Sequence, residues 1–261
     1  QDAKKYFPAF ICSIVQSLVE LGMHGCYDGV SAIVIPSLCD SLKVVGENWK
    51  YAVPSIPFIP MTYPQNRKPD FAADFIRSGY ERVIADLEKA TGLKYSADQL
   101  ADSIKVYNQH NAVMRKLSDV LAQHPEVTTA QRSDIFKSAW FMLKEEHTAL
   151  VQELIQQLEA QNPSNIGVPV VVTGILTDAP GLTSLFDEFG LRVVADDVAA
   201  ESRQYRTDAS TDGDPMECLI NKFRNLDNCS VLYDPDKKRI PMIVDLAKQH
   251  GAKGIIFVLT K

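Results

Sequence analysis

The sequence predicts an α/β protein of two parallel-sheet lobes, residues 1–68 and 166–261, joined by a helical segment over 69–165. Three observations carry that prediction. Short apolar runs alternate with amphipathic stretches of helical period at both ends of the chain. Apolar strands set between amphipathic helices imply a parallel sheet covered on both faces. The middle of the chain reads helical throughout.

In the first lobe a helical run, "AFICSIVQSLVELGMHG", precedes the strand "GVSAIVIPS" and the helix "DSLKVVGENWKYAV". A second strand, "IPFIPMTY", follows with proline at both flanks. The helical segment opens with "DFAADFIRSGYERVIADLEKATG", where Gly92 predicts a helix C-cap. Ser96 and Gln99 then stand in capping-box spacing, and that helix closes at Pro125. Thr128 and Gln131 repeat the device ahead of one continuous run to Pro163, so three long antiparallel helices are expected. The second lobe alternates again: strand "GVPVVVTG", helix "GLTSLFDEFG", strand "LRVVADD", helix "PMECLINKFRNL", helix "KRIPMIVDLAKQHGA", strand "KGIIFVLT".

The 261 residues are 46% hydrophobic and 23% charged, enough for one large domain or two small ones with proper cores. A net charge of −6 provides no global basic field to recruit nucleic acid or an anionic membrane. The apolar runs fall short of the roughly 20 residues needed to span a bilayer. The start, "QDAKKYFPAF", lacks the design of a signal peptide, so the chain reads as cytoplasmic. It begins at Gln1 and stops on an apolar strand-type run, which leads us to expect a fragment of a longer protein.

Cysteines stand at 12, 26, 39, 218 and 229, an odd number without any C-x-x-C pair. That argues against a disulfide framework and against a zinc ribbon. Cys39 falls where the first strand hands over to a helix, and helix amides with the positive end of the helix dipole favour a thiolate there. Cys12, in the preceding helical segment, can meet it across adjacent parallel elements. Metal or cluster ligation and a buried structural role both remain open for these two. "VVVTGILTDAPGLTSLF" matches neither G-x-G-x-x-G nor a P-loop, and a tight strand-to-helix turn explains its glycines. The five histidines are scattered without an i, i+4 ligand pair, and His110 and His147 are expected on partly solvated helix faces. In "ADDVAAESRQYRTD", Asp196 and Asp197 end a strand, where ligands gather in open α/β sheets. Arg203 and Arg206 could meet phosphate or carboxylate, or with Glu201 form ordinary surface pairs.

Five ordered segments, "YFPAFICSIVQS", "IVIPSLCDSLKVVGENWK", "MTYPQNRK", "DDVAAESRQYRTD" and "CSVLYDPDKKR", resemble the 2-hydroxyacyl-CoA dehydratase subunits. That family includes relatives of the benzoyl-CoA reductase subunits. The resemblance covers essentially the whole chain. It implies Rossmann-like lobes joined by helices, and a heterodimer of two homologous subunits, each able to hold an iron–sulfur cluster. Carried over residue by residue, Cys12 in "FICS" and Cys39 in "SLCDSLK" match two ligands of a 4Fe–4S cluster. A third cysteine is expected just beyond Lys261, and substrate-site residues before Gln1. Asn66 and Arg67 in "YPQNRK" are candidates for contacts to the cluster or to CoA, or are structural loop residues.

The chemistry the resemblance implies is loss of water from a 2-hydroxyacyl-CoA, whose β proton is barely acidic. One electron added to the thioester carbonyl gives a ketyl radical anion that expels the neighbouring hydroxyl. The resulting radical has a far more acidic β proton, and the electron is recovered as the enoyl-CoA forms. A separate ATP-hydrolysing activator supplies that electron, which fits the lack of a P-loop here. Three cysteines in place of four would leave one iron open to water or substrate oxygen. The alternatives are a benzoyl-CoA-reductase-type subunit and a non-catalytic partner subunit with a structural or docking role.

Overall fold

A computed structural model describes residues 2–259. The protein is α/β with two parallel sheets, as expected from the sequence. Its described residues divide into two compact units, one of residues up to 99 with 229–235, the other of residues 100–228 with 236–259.

In the first unit a 3-10 turn, Asp2–Lys5, precedes α1 (Ser13–Met23), β1 (Ile33–Pro36), α2 (Asp40–Ala52), β2 (Phe58–Met61) and α3 (Phe71–Thr91). β1 and β2 pair in parallel from Ile33↔Phe58 to Pro36↔Met61. Prolines at 36 and 60 sit within these strands because a two-stranded ladder leaves each strand an edge that needs no N–H donor. The core gathers Val15 and Val19 of α1, Ile35 of β1 and Val45 and Trp49 of α2. Trp49 is fully buried and donates its indole N–H to the Ile56 carbonyl at 2.9 Å, which satisfies its one polar atom. Gly22 is required by close approach: a Cβ there would lie 2.9 Å from both the Trp49 ring and Val53. The last turn of α1 therefore rests on the last turn of α2. Gly92 ends α3 in the left-handed conformation, φ 74°, as the sequence predicts.

The second unit takes up α4 (Ala97–Leu121), which begins at the end of the first, then α5 (Thr129–Ser138) and α6 (Lys144–Glu159). Gln99 N–H donates to the Ser96 hydroxyl at 3.4 Å, and Thr128 with Gln131 forms a complete capping box. One expectation is corrected. The run from 128 to 163 is not one helix: α5 stops at Ser138, and α6 restarts after a turn over 139–143 that leaves Trp140, Phe141 and Leu143 exposed. Four helices, α3 to α6, thus replace the three expected.

Next come β3 (Val168–Gly174), α7 (Pro180–Glu188), β4 (Leu191–Val198), α8 (Ser202–Tyr205), α9 (Pro215–Arg224), α10 (Arg239–Gln249) and β5 (Gly254–Val258). The sheet order is β4-β3-β5, all parallel, with Thr173 opposite Asp197 on one side and Phe257 on the other. Central β3 is buried over Val170–Thr173, which explains its unbroken valine run. α9 begins as its sequence dictates: Asp214 accepts from Glu217 N–H at 2.9 Å, and Pro215 sits in the first turn.

Candidate functional site

Both candidate cysteines open helices. Cys39 is the N-cap of α2, with extended backbone at φ −143° and ψ 169°. Cys12 is the N-cap of α1 and not, as expected, a residue inside the helix. Their carbonyls accept the first helical bonds, from Gln16 and Lys43 N–H, at 3.1 Å each. Their sulfurs make no cap hydrogen bond, and both are free thiols. A good capping residue would be Ser, Thr, Asp or Asn, and its absence forgoes about 1 kcal/mol per helix. Two adjacent helices each open on a poor capper whose side chain is left uncommitted.

Cys12 is half-buried, against the core shared by α1 and α2, and Cys39 is exposed, so neither is sealed in an apolar interior. Cys12 lies ten residues before Gly22, and Cys39 ten before Trp49, the pair in contact at the helix ends. Ten residues of helix are about 15 Å. Ile11 and Cys12 before α1, and Leu42 in the first turn of α2, pack on the same cluster as Val15, Val19 and Val45. The shared core thus reaches both N-terminal ends. The donor set fits an iron–sulfur cluster in kind: two thiols at helix N-termini, neither in a disulfide nor sealed in the interior. Among the described residues neither cysteine belongs to a group of three metal-capable side chains, and the expected third cysteine, after Lys261, lies outside the described residues.

One group of three metal-capable side chains does converge among the described residues, Asp2, Glu20 and His24. It does not fit a metal. The Glu20 carboxylate accepts from Asp2 N–H at 3.1 Å and Ala3 N–H at 2.7 Å, and Lys5 pairs with Asp2 at 3.0 Å. Those amides, Ala3 first, hold the Glu20 pKa down to about 2. The group is a carboxylate pinning the N-terminal turn.

Asn66 is exposed. Arg67 is buried and donates Nη1 to the Tyr233 carbonyl at 3.3 Å, while Tyr233 N–H donates to the Gln65 carbonyl at 3.0 Å. "YPQNRK" and "CSVLYDPDKKR" therefore meet within the first unit.

In the second unit Asp196 and Asp197 are buried at the carboxyl end of β4, and the alternative of ordinary surface pairs for their neighbours is set aside. Asp196 accepts from Val198 and Ser202 N–H, at 3.0 and 3.1 Å, and from Arg132 at 2.7 Å. Arg132 also bonds Glu201, which in turn accepts from Thr177. Burial works against the charge on Asp197, but hydrogen bonds and charge from Arg203 and then Arg206 hold its pKa below the usual value. Sequence reasoning missed Arg132, Thr177 and Arg239, which reach these acids from other elements. The histidine expectation is also corrected. His110 and His147 are buried, joined Nε2 to Nδ1 at 3.0 Å, with His147 Nε2 3.0 Å from the Ser138 hydroxyl and 3.1 Å from the Ile135 carbonyl. Burial, then Lys144 and His147, pulls the His110 pKa down to about 4.

No helix among the described residues is long and apolar enough to cross a membrane. The family model described as "2-hydroxyglutaryl-CoA dehydratase, D-component" matches residues 1–261. The chain is 43% identical over 261 residues to the (R)-phenyllactyl-CoA dehydratase beta subunit of Clostridium sporogenes, covering 99% of this chain and 70% of that one. It is 41% identical over 263 residues to the lactoyl-CoA dehydratase subunit beta of Anaerotignum propionicum, covering 99% and 69%. To the (R)-2-hydroxyglutaryl-CoA dehydratase subunit beta of Acidaminococcus fermentans it is 34% identical over 261 residues, covering 97% and 69%.

Proposed function

Because the chain belongs to the 2-hydroxyglutaryl-CoA dehydratase D-component family, we propose that it is one subunit of an enzyme that dehydrates an (R)-2-hydroxyacyl-CoA to an enoyl-CoA. It works with a homologous second subunit and an ATP-dependent activator. The observation that carries the reading is the pair of uncommitted thiols, Cys12 and Cys39, at the N-caps of two helices packed together.

These two residues would hold a 4Fe–4S cluster, with a third cysteine contributed from beyond Lys261. When bound, such a cluster supplies single-electron chemistry. The chain's own part is positional. The core shared by α1 and α2 supports the N-terminal end of each helix, and each cap leaves its thiol without a protein hydrogen bond. Arg67 ties the segment carrying Tyr233 to the loop after β2, leaving exposed Asn66 beside it as the candidate for contacts to cluster or CoA. The buried carboxylates Asp196, Asp197 and Glu201 are engaged with arginines, amides or a hydroxyl, which assigns them to architecture ahead of acid–base work.

Identity to three dehydratase subunits favours dehydration over reduction of an aromatic ring. The test is anaerobic purification of the full-length protein with its partner. Cys39→Ala is expected to lose one cluster's iron and sulfide together with dehydration activity. A variant that keeps its iron and its rate overturns the assignment. Product analysis with activator and ATP separates an enoyl-CoA from a reduced ring.

A further inference from the structure

At the carboxyl ends of β3 and β4, three arginines converge on one carboxylate. Asp197, fully buried, accepts from Arg203 Nε at 3.0 Å, from Arg206 Nη2 at 3.0 Å and from Arg239 Nε at 2.7 Å. Arg239 Nη2 also donates to the Thr173 hydroxyl at 2.7 Å, and Arg206 Nη2 to the Ser202 hydroxyl at 3.3 Å. Three cations against one anion leave a formal excess of +2 on the cluster. Arg132 meets two further acids, Asp196 and Glu201, so the four guanidiniums and three carboxylates of the joined network keep a formal excess of +1.

A single buried aspartate needs one guanidinium for neutrality, so the other two call for an explanation. Arg206 and Arg239 keep 28% and 25% of their side chains exposed, whereas Asp197 itself is sealed. Arg206 engages the protein through Nη2 and Arg239 through Nε and Nη2. Among the described residues, Nη1 of each has no partner. Two partly exposed forks are thus held in place from behind by the same carboxylate, with donors left over.

Their location is the second observation. β4 follows β3 on one side of the sheet, and β5 joins β3 on the other, so the strand order reverses at β3. In open α/β sheets ligands bind beyond the carboxyl ends of the strands at such a reversal. Thr173 is one residue from the end of β3, Asp197 one from the end of β4, and Arg239 is the first residue of α10, the helix that leads into β5.

We propose that Arg206 and Arg239, organised by Asp197, form an anion site at this reversal that takes a phosphate group of the CoA thioester. The assignment rests on the CoA-thioester reading above. Coenzyme A carries a diphosphate and a 3′-phosphate, and the planar guanidinium fork matches phosphate oxygens in pairs. An anionic ligand suits this excess of positive charge better than a neutral one does.

The test uses the full-length chain with its partner subunit, without activator, and measures the Kd of CoA and of dephospho-CoA by titration calorimetry. Arg206→Gln is the informative variant, because Arg203 and Arg239 still neutralise Asp197 and the fold is retained. It is expected to weaken CoA about tenfold or more, the worth of one charge-assisted bond. Higher ionic strength should shrink the difference. Arg239→Lys should also weaken binding, since the fork is lost while the charge stays. Lys105→Gln, on an exposed pair with Asp102, serves as the unaffected control. If the loss disappears with dephospho-CoA, the contact is to the 3′-phosphate, and if it persists, to the diphosphate; either supports the site. Wild-type affinity in both arginine variants overturns it and leaves a structural clamp on Asp197. Inorganic phosphate competing as well as CoA reassigns the site to the free ion and overturns the CoA assignment. A wild-type complex that binds no CoA at all would sink the dehydratase reading along with it.

Discussion

The two units treat their reactive side chains in opposite ways. In the first, Cys12 and Cys39 hold positions where a hydrogen-bonding side chain would stabilise the helix, and neither forms that bond. In the second, buried Asp196, Asp197 and Glu201 each accept two or more hydrogen bonds from protein donors. An unmet local need at an accessible thiol points to a ligand from outside the fold. A buried charge met by donors of the protein itself points to the fold. The contrast separates function from architecture more sharply than residue type does, since carboxylates at the end of a sheet strand look as catalytic as thiols.

The contrast breaks first at the cysteines. Cys12→Ala in the full-length complex should reduce dehydration to background while shifting Tm by no more than a few degrees, because a half-buried thiol to methyl costs about 1 kcal/mol. Turnover and differential scanning calorimetry on the same preparation check it. A collapse of Tm with intact turnover would reverse the assignment of roles.

Asp197→Ala should do the opposite. Removing the anion leaves Arg203, Arg206 and Arg239 facing one another, with Arg203 only 11% exposed. Breaking a buried pair this way costs about 3–5 kcal/mol, or roughly 10 °C in Tm for a domain of this size. Thermal unfolding measures it, and an unchanged Tm would show that the network does not hold the second unit together.

The buried histidine pair gives a smaller, pH-dependent effect. The folded protein keeps His110 neutral, with its pKa pulled from 6.5 to about 4 by burial, Lys144 and His147. The unfolded chain therefore binds more protons between those values. Stability is fully present above pH 6.5 and is lost as pH falls toward 4, by on the order of 2–3 kcal/mol. Asp197 adds a separate loss below its ordinary value of 3.8, because its folded pKa is depressed. Urea unfolding at pH 7 and pH 5 should show the first slope in the wild type and a flatter one in His110→Gln. Equal slopes would return the histidines to the solvated faces that periodicity suggests.

What was legible in the sequence was local. Gly92 and the capping residues Ser96 and Thr128 announced helix ends because cap chemistry acts within four residues. The alternating zones announced parallel sheets for the same reason. The break between α5 and α6 was hidden because "AWFML" carries no glycine or proline and keeps an apolar character even where it is exposed. Cys12 read as helical because cysteine gives no capping signal. The charge network was half legible. Asp197, Arg203 and Arg206 are neighbours in sequence, but Arg239 arrives from 42 positions away and Arg132 reaches Asp196 from 64, distances no periodicity spans. His110 and His147, 37 apart, met only through the packing of α4 on α6.

The smallest effect tests the comparison from its other side. Thr128 is an N-cap that meets its local need in full: its hydroxyl accepts from Gln131 N–H at 3.2 Å, while the Gln131 side chain accepts from Thr128 N–H at 2.9 Å. Thr128→Ala should cost about 1 kcal/mol, a few degrees in Tm at most, and leave turnover untouched. Cys39→Ser is its mirror image. A serine can make the cap bond the thiol does not, so α2 should gain a few tenths of a kcal/mol up to about 1 as activity disappears. A protein made slightly more stable by the change that removes its chemistry is the signature of a cap position held for a ligand. If Cys39→Ser is instead destabilised in calorimetry as much as Thr128→Ala, the sulfur was supporting the helix, and the contrast between the two units fails at its most exposed residue.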